Sequence, residues 1–96
     1  MAVQKTDLQL RVISRIKRLR AENEDSQQQL AIILGTTNGT IGNIESLKFG
    51  NKYTLPQLNT LARHYGVPIE TFFMTEGERE LTIAEYTNRL CEYLEG

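Results

Sequence analysis

The chain has 96 residues, 40% of them hydrophobic, a formal net charge of −1 and a single cysteine. That limits it to one globular domain with a modest core and excludes an internal disulfide. No apolar run approaches the roughly 20 residues of a membrane span, and the opening MAVQKTDLQL lacks a signal-peptide core, so a cytoplasmic protein without membrane contact is expected.

The charge is unevenly divided. Residues 1–52 hold eight Lys/Arg and five Asp/Glu, a balance of +3, and residues 53–96 hold three and seven, a balance of −4. The split suits anion contact confined to one end of the molecule, or else a solvated surface without a role.

The first predicted helix runs from Asp7 or Leu8 to about Asn23, with Thr6 or Asp7 as its cap. Val12, Ile16 and Leu19 recur at i, i+4 and i+7 beside Ile13 and form one apolar stripe. Arg11, Arg15 and Arg18 share another face, with Lys17 and Arg20 at its edges. These cations could meet phosphates or a partner's acidic surface, or simply be solvated.

After a link at Asn23 to Asp25, Ser26 and Gln29 form an S-x-x-Q capping box for a helix from about Gln27 to Leu34. Gly35 stops it, because glycine takes the left-handed backbone of a helix C-cap without strain. Thr37 caps a second short helix from Asn38 to about Ser46. Leu30, Ala31, Leu34, Ile41 and Ile44 are the inward set, and one of Ile32 and Ile33 is left exposed. Asn38, Gly39, Thr40, Gly42 and Asn43 remain as an outer surface that is uncharged and small. Two short helices around a tight turn, the second showing amides outward, is the layout of a DNA-reading helix-turn-helix.

Thr54 and Gln57 repeat the capping pattern, Pro56 suits a first helical turn, and Leu58, Leu61, Ala62 and Tyr65 make the inward face of the next helix. Gly66 ends it. Val67-Pro68 turn the chain into a short helix from Ile69 to Met74, with Phe72 and Phe73 sealing the core. The lone His64 has no neighbour at metal-ligand spacing. Glu76-Gly77-Glu78 mark a break before a last helix from Leu81 to Leu94. Its apolar stripe is Ile83, Tyr86, Thr87, Leu90, Tyr93 and Leu94, with Glu80, Glu85, Arg89 and Glu92 outward. Such a stripe needs cover, either Ile32 or Ile33 of the same chain or a second copy.

Several of these residues fall into one pattern: Ile16-Lys17-Arg18-Leu19-Arg20, Ser26-Gln27-x-x-Leu30-Ala31, Leu34-Gly35 and Ile41-x-x-Ile44-Glu45. Leu55-Pro56-x-Leu58-x-x-Leu61-Ala62-x-x-Tyr65-Gly66-Val67-Pro68-Ile69-Glu70-x-Phe72-Phe73 extends it. Over roughly Leu10 to Phe73 the chain resembles the Cro/repressor (XRE-like) helix-turn-helix regulators. The resemblance implies an all-α, five-helix lambda-repressor-like DNA-binding domain over residues 1–75. Residues 76–96 would add a C-terminal helix for dimerisation or packing.

It also implies roles. Asn38, Gly39, Thr40 and Asn43 become the base-contact candidates, since an Asn amide can pair with adenine in the major groove. Gln27, Thr37, Lys48, Asn51 and Lys52, with Tyr53 beside them, become phosphate contacts. Arg20 and Glu45 become a structural ion pair, with the first helix packed behind the reading unit.

The chain departs from the family at Gly39 and Gly42, which replace longer polar residues and each cost roughly 1 kcal/mol of helix stability. It departs again at Leu47, which stands where the family often has glycine, so the helix could run a further turn to Gly50. The expected function is a sequence-specific DNA-binding regulator, a repressor, acting as a homodimer on double-stranded DNA without cofactor or metal. Control would come from its concentration, proteolysis or a protein partner such as a toxin. The alternative is a protein-interaction adaptor or antitoxin-like module that keeps the fold without reading DNA. An enzyme is not indicated, because no phosphate loop or nucleophile motif is present.

Overall fold

Among the described residues every α-helix starts at a hydroxyl. Thr6, Ser26, Thr37 and Thr54 each accept a hydrogen bond from the amide three residues on, at Gln9, Gln29, Thr40 and Gln57. Thr82 does the same for Glu85. Caps of this kind satisfy amides that the first turn leaves without a partner. At Thr6, Thr54 and Thr82 the third residue's side chain returns a bond to the cap amide. At Ser26 only the serine's half of the expected box forms.

The computed structural model describes residues 5–95 and is all-helical. Its elements are α1 (Asp7–Glu22), α2 (Gln27–Leu34), α3 (Asn38–Glu45), α4 (Leu55–Tyr65), a 3-10 helix (Ile69–Phe73) and α5 (Ile83–Glu95). Among the described residues there is no strand, and no helix is long and apolar enough to cross a membrane. Gly35 and Gly66 end α2 and α4 in the left-handed region, both at φ +66°. The following amides of Thr36 and Val67 then reach back to the carbonyls of Ala31 and Ala62, which closes each helix with a Schellman-type turn.

Three expected boundaries move, the first being the start of α5, which lies at Ile83 behind Thr82 and not at Leu81. The helix after Pro68 is a 3-10 turn ending at Phe73, closed by i→i+3 bonds such as Thr71 N to the Pro68 carbonyl, 3.0 Å. Short connecting pieces of this length commonly take the tighter 3-10 form. Helix α3 stops at Glu45 and does not run on towards Gly50. Ser46 is extended (ψ 143°) and its hydroxyl accepts from the Lys48 amide at 3.1 Å. A serine hydroxyl offering this bond competes with another helical turn. Leu47 is left 82% exposed.

The core sits between α1, α2, α3 and α4 and is closed by Phe72, Phe73 and Tyr93. Ile33 packs at its edge while Ile32 is 66% exposed. Ile32 stays exposed and does not cover the C-terminal helix. That helix lies against α1 and the 3-10 helix. Tyr93 is fully buried, its ring edge-on to Phe73 at 5.7 Å. Burying such a side chain contributes about 2 kcal/mol. Leu81, Tyr86 and Leu90 pack partly against the core, but Ile83 in the first turn is 86% exposed.

Arg89, expected to point outward, folds inward. Its guanidinium bonds the Phe73 carbonyl at 2.8 Å and both oxygens of Glu78 at 2.6 and 2.9 Å. Glu78 also accepts from the amide and hydroxyl of Thr75. Arg89 first, and then Thr75, hold the Glu78 carboxyl well below the usual carboxylate range.

Candidate nucleic-acid interface

α3 is seated on α2 by Ile41 and Ile44, both buried. A helix anchored along one stripe presents the opposite one. Asn38, Gly39 and Asn43 are exposed on it, and Thr40 is half-buried. The Thr40 hydroxyl lies 2.9 Å from that of Thr37, so the first turn of α3 carries a joined pair of hydroxyls. Gly39 and Gly42 are not enforced by crowding. A methyl group at Gly39 would meet nothing nearer than the Thr37 hydroxyl at 3.9 Å, and one at Gly42 would lie 3.7 Å from the Gln27 side-chain oxygen.

Beneath α3 a polar network joins four helices. Arg20 donates from Nε to Glu45 Oε2 and from Nη2 to Oε1, each at 2.9 Å. The Gln27 amide donates to the same Oε1 at 3.0 Å. The Glu45 side chain is only 3% exposed and that of Arg20 15%, so the two-bond geometry that makes Arg–carboxylate pairs strong is largely out of water. The bond to Glu45 raises the Arg20 pKa further.

Arg20 also donates to the Asp25 backbone carbonyl at 3.1 Å. The Asp25 carboxylate in turn takes the Tyr65 hydroxyl at 3.1 Å and faces His64 Nε2 at 3.2 Å. The lone histidine therefore braces the α1–α2 link from α4. Burial, and then the bond to Asp25, push the Tyr65 pKa up.

Beyond the end of α3, Lys48 and Asn51 are exposed on the same loop, next to Leu47 and Phe49. Lys52 is turned elsewhere. Its ammonium donates to the last carbonyls of α5, Tyr93 at 2.9 Å and Leu94 at 3.1 Å, and lies 5.4 Å from the centre of the Tyr93 ring. Cations are favoured there by the helix dipole. Gln9, buried in α1, donates to the same Tyr93 carbonyl at 3.0 Å.

Lys5 gave no signal in the sequence, yet it caps α3. Its ammonium donates to the backbone carbonyls of Ser46, Phe49 (2.6 Å) and Asn43 (3.4 Å). A lysine 38 residues before its first acceptor cannot be read from spacing.

The structure thus brings Asn38, Gly39, Thr40 and Asn43 onto one helix, with Thr37 at its start and Lys48 and Asn51 past its end. Gln27 is held under it. Arg20 and Glu45 are behind it, and Lys52 is drawn to the C-terminal helix. The fold is one that a helical DNA-binding domain can use.

No family model and no curated protein matches the chain. A solved structure, a hypothetical transcription factor (NHTF) from Neisseria, is similar in fold, with a TM-score of 0.61 at 18% identity over 79% of this chain and 87% of that one.

Proposed function

We propose that the chain is a DNA-binding transcriptional regulator, without enzymatic activity, that lays α3 in the major groove. The observation that carries this reading is the outward stripe of α3. Asn38 and Asn43 stand exposed on a helix whose other side is fixed by Ile41, Ile44 and the Arg20–Glu45–Gln27 network. Preorganised amides of this kind suit bidentate reading of adenine, while Gly39 lets the backbone lie close to base edges and Thr40 meets a thymine methyl. Phosphates fall to Thr37, Lys48, Asn51 and Gln27, with Lys52 available only by leaving the end of α5. The Neisseria protein of similar fold is itself a hypothetical transcription factor, which agrees with this reading.

A repressor of the Cro type is the form the motif favours. A homodimer is the state that would present two α3 helices one duplex turn, about 34 Å, apart.

Selection of bound duplexes from a random pool by the full chain tests the proposal. The expected result is a recurring motif whose half-site spacing reports the oligomer. Binding should weaken steeply with salt. Asn43→Ala should lose preference at one position, about 1–3 kcal/mol, with unchanged melting. If no salt-sensitive duplex binding occurs at low ionic strength, the fold serves as a protein adaptor instead.

A further inference from the structure

The two flanks of α1 differ. One, with Leu10, Ile13 and Lys17, borders α3. The other carries Arg11, Arg15 and Arg18 and borders the 3-10 helix and the turn after it. Two recesses lie along this second flank. One of about 300 Å³ is lined by Arg11, Arg15, Arg18, Thr75 and Glu76. The other, of about 200 Å³, is lined by Leu19, Glu22, Val67 and Thr71 and shares Arg15 and Arg18 with the first.

The flank is built rather than loose. Arg15 donates to the Met74 carbonyl at 3.1 Å and Arg89 to the neighbouring Phe73 carbonyl at 2.8 Å, which fixes the wall opposite α1. Arg11 and Arg18 are exposed, and among the described residues no carboxylate pairs with either.

We infer that this groove docks an acidic segment of a protein partner, with carboxylates on Arg11 and Arg18 and one bulky apolar side chain set between Leu19 and Val67. Guanidinium forks match carboxylates in two-bond geometry, and an apolar anchor beside them is how small interfaces concentrate affinity. A duplex backbone fits the groove less well. Its charges recur every ~1.7 Å along the axis, so they would meet Glu22 and Glu76, which line the same recesses. A peptide can space its carboxylates around those two residues. The groove also lies across α1 from α3, so its use stands apart from DNA reading and would leave α3 free.

The test is amide-resolved NMR titration of the full chain with a synthetic amphipathic peptide of Glu, Asp and Leu, its Gln/Asn/Leu counterpart, and a random-sequence duplex. The acidic peptide is expected to shift amides of residues 11–19 and 67–76, and its neutral counterpart is not. The double variant Arg11→Gln, Arg18→Gln should lower peptide affinity about tenfold without changing the melting temperature. The proposal is overturned by absence of localised shifts at about 1 mM peptide or by equal affinity of the double variant. It is equally overturned if the duplex, and not the peptide, moves these amides. Failure of duplex binding at α3 leaves these readouts unaffected.

Discussion

The hydroxyl of Tyr93 donates a 2.7 Å hydrogen bond to the backbone carbonyl of Tyr53, so the last turn of α5 is tied to the segment that follows α3. The two tyrosines are both fully buried but not equivalent, for the Tyr53 hydroxyl has no hydrogen-bond partner among the described residues. Tyr93→Phe strands a buried carbonyl and is expected to cost about 1–2 kcal/mol, whereas Tyr53→Phe removes an unsatisfied group and is expected to be neutral or stabilising by up to about 1 kcal/mol. Urea unfolding of both variants decides it. Equal losses would mean that the Tyr53 hydroxyl is satisfied in solution.

The Arg20–Glu45 pair makes a second contrast. Removing one member of a nearly dry ion pair leaves the other uncompensated. Glu45→Ala also frees the Gln27 amide that shares its Oε1. A loss of about 3 kcal/mol is expected, somewhat softened because Arg20 keeps a little solvent. An unchanged melting temperature would show that the pair contributes nothing net.

Gly39 and Gly42 separate stability from reading. Both have room for a methyl group in ordinary contact. Gly39→Ala and Gly42→Ala are each expected to stabilise the fold by up to about 1 kcal/mol. If α3 approaches base edges closely at Gly39, Gly39→Ala lowers duplex affinity while raising the melting temperature. A parallel rise in both would remove close approach as the reason for glycine there.

Glu78 provides the pH dependence. Arg89 and Thr75 lower its folded pKa below the ordinary value of 4.5, so folding favours the ionised form. The stabilisation is complete above the unfolded pKa and is lost as pH falls from about 4.5 towards the lower folded value. The stability difference between the natural chain and Glu78→Gln should therefore be present at pH 7 and shrink in acid. A difference that did not change with pH would place the effect in packing alone.

Local chemistry is what the sequence carries openly. The hydroxyl caps, the stops at Gly35 and Gly66 and the stripes of α1 and α4 could be read because each depends on residues within one or two turns. The end of α3 was harder. Ser46 closes it with its own hydroxyl, a choice that competes narrowly with another turn. The seat of α5 was not legible, since an apolar stripe states that something covers it and not what. Arg89 looked like a surface charge until the 75–78 turn placed a carboxylate and a carbonyl beside it. The candidate site divides in the same way: the outward face of α3 follows from helical periodicity, but the destination of Lys52 depends on where α5 ends.

Lys5 shows the cost of that blindness most directly. Its ammonium gathers the carbonyls at the end of α3, where unsatisfied acceptors and the negative end of the dipole coincide. Lys5→Met keeps much of the side chain's bulk and removes the charge and the donors. The expected global loss is about 0.5–1 kcal/mol, but the local effect should be larger, because α3 has only eight residues and two of them are glycine. Hydrogen exchange at Asn43 through Ser46 should quicken in Lys5→Met while α4 amides keep their protection. Under the proposed function, duplex affinity would fall with it although Lys5 need not touch DNA. Raised salt separates the two routes. A lost phosphate contact flattens the salt slope by about one counterion, whereas a frayed reading helix lowers affinity and leaves the slope as it was.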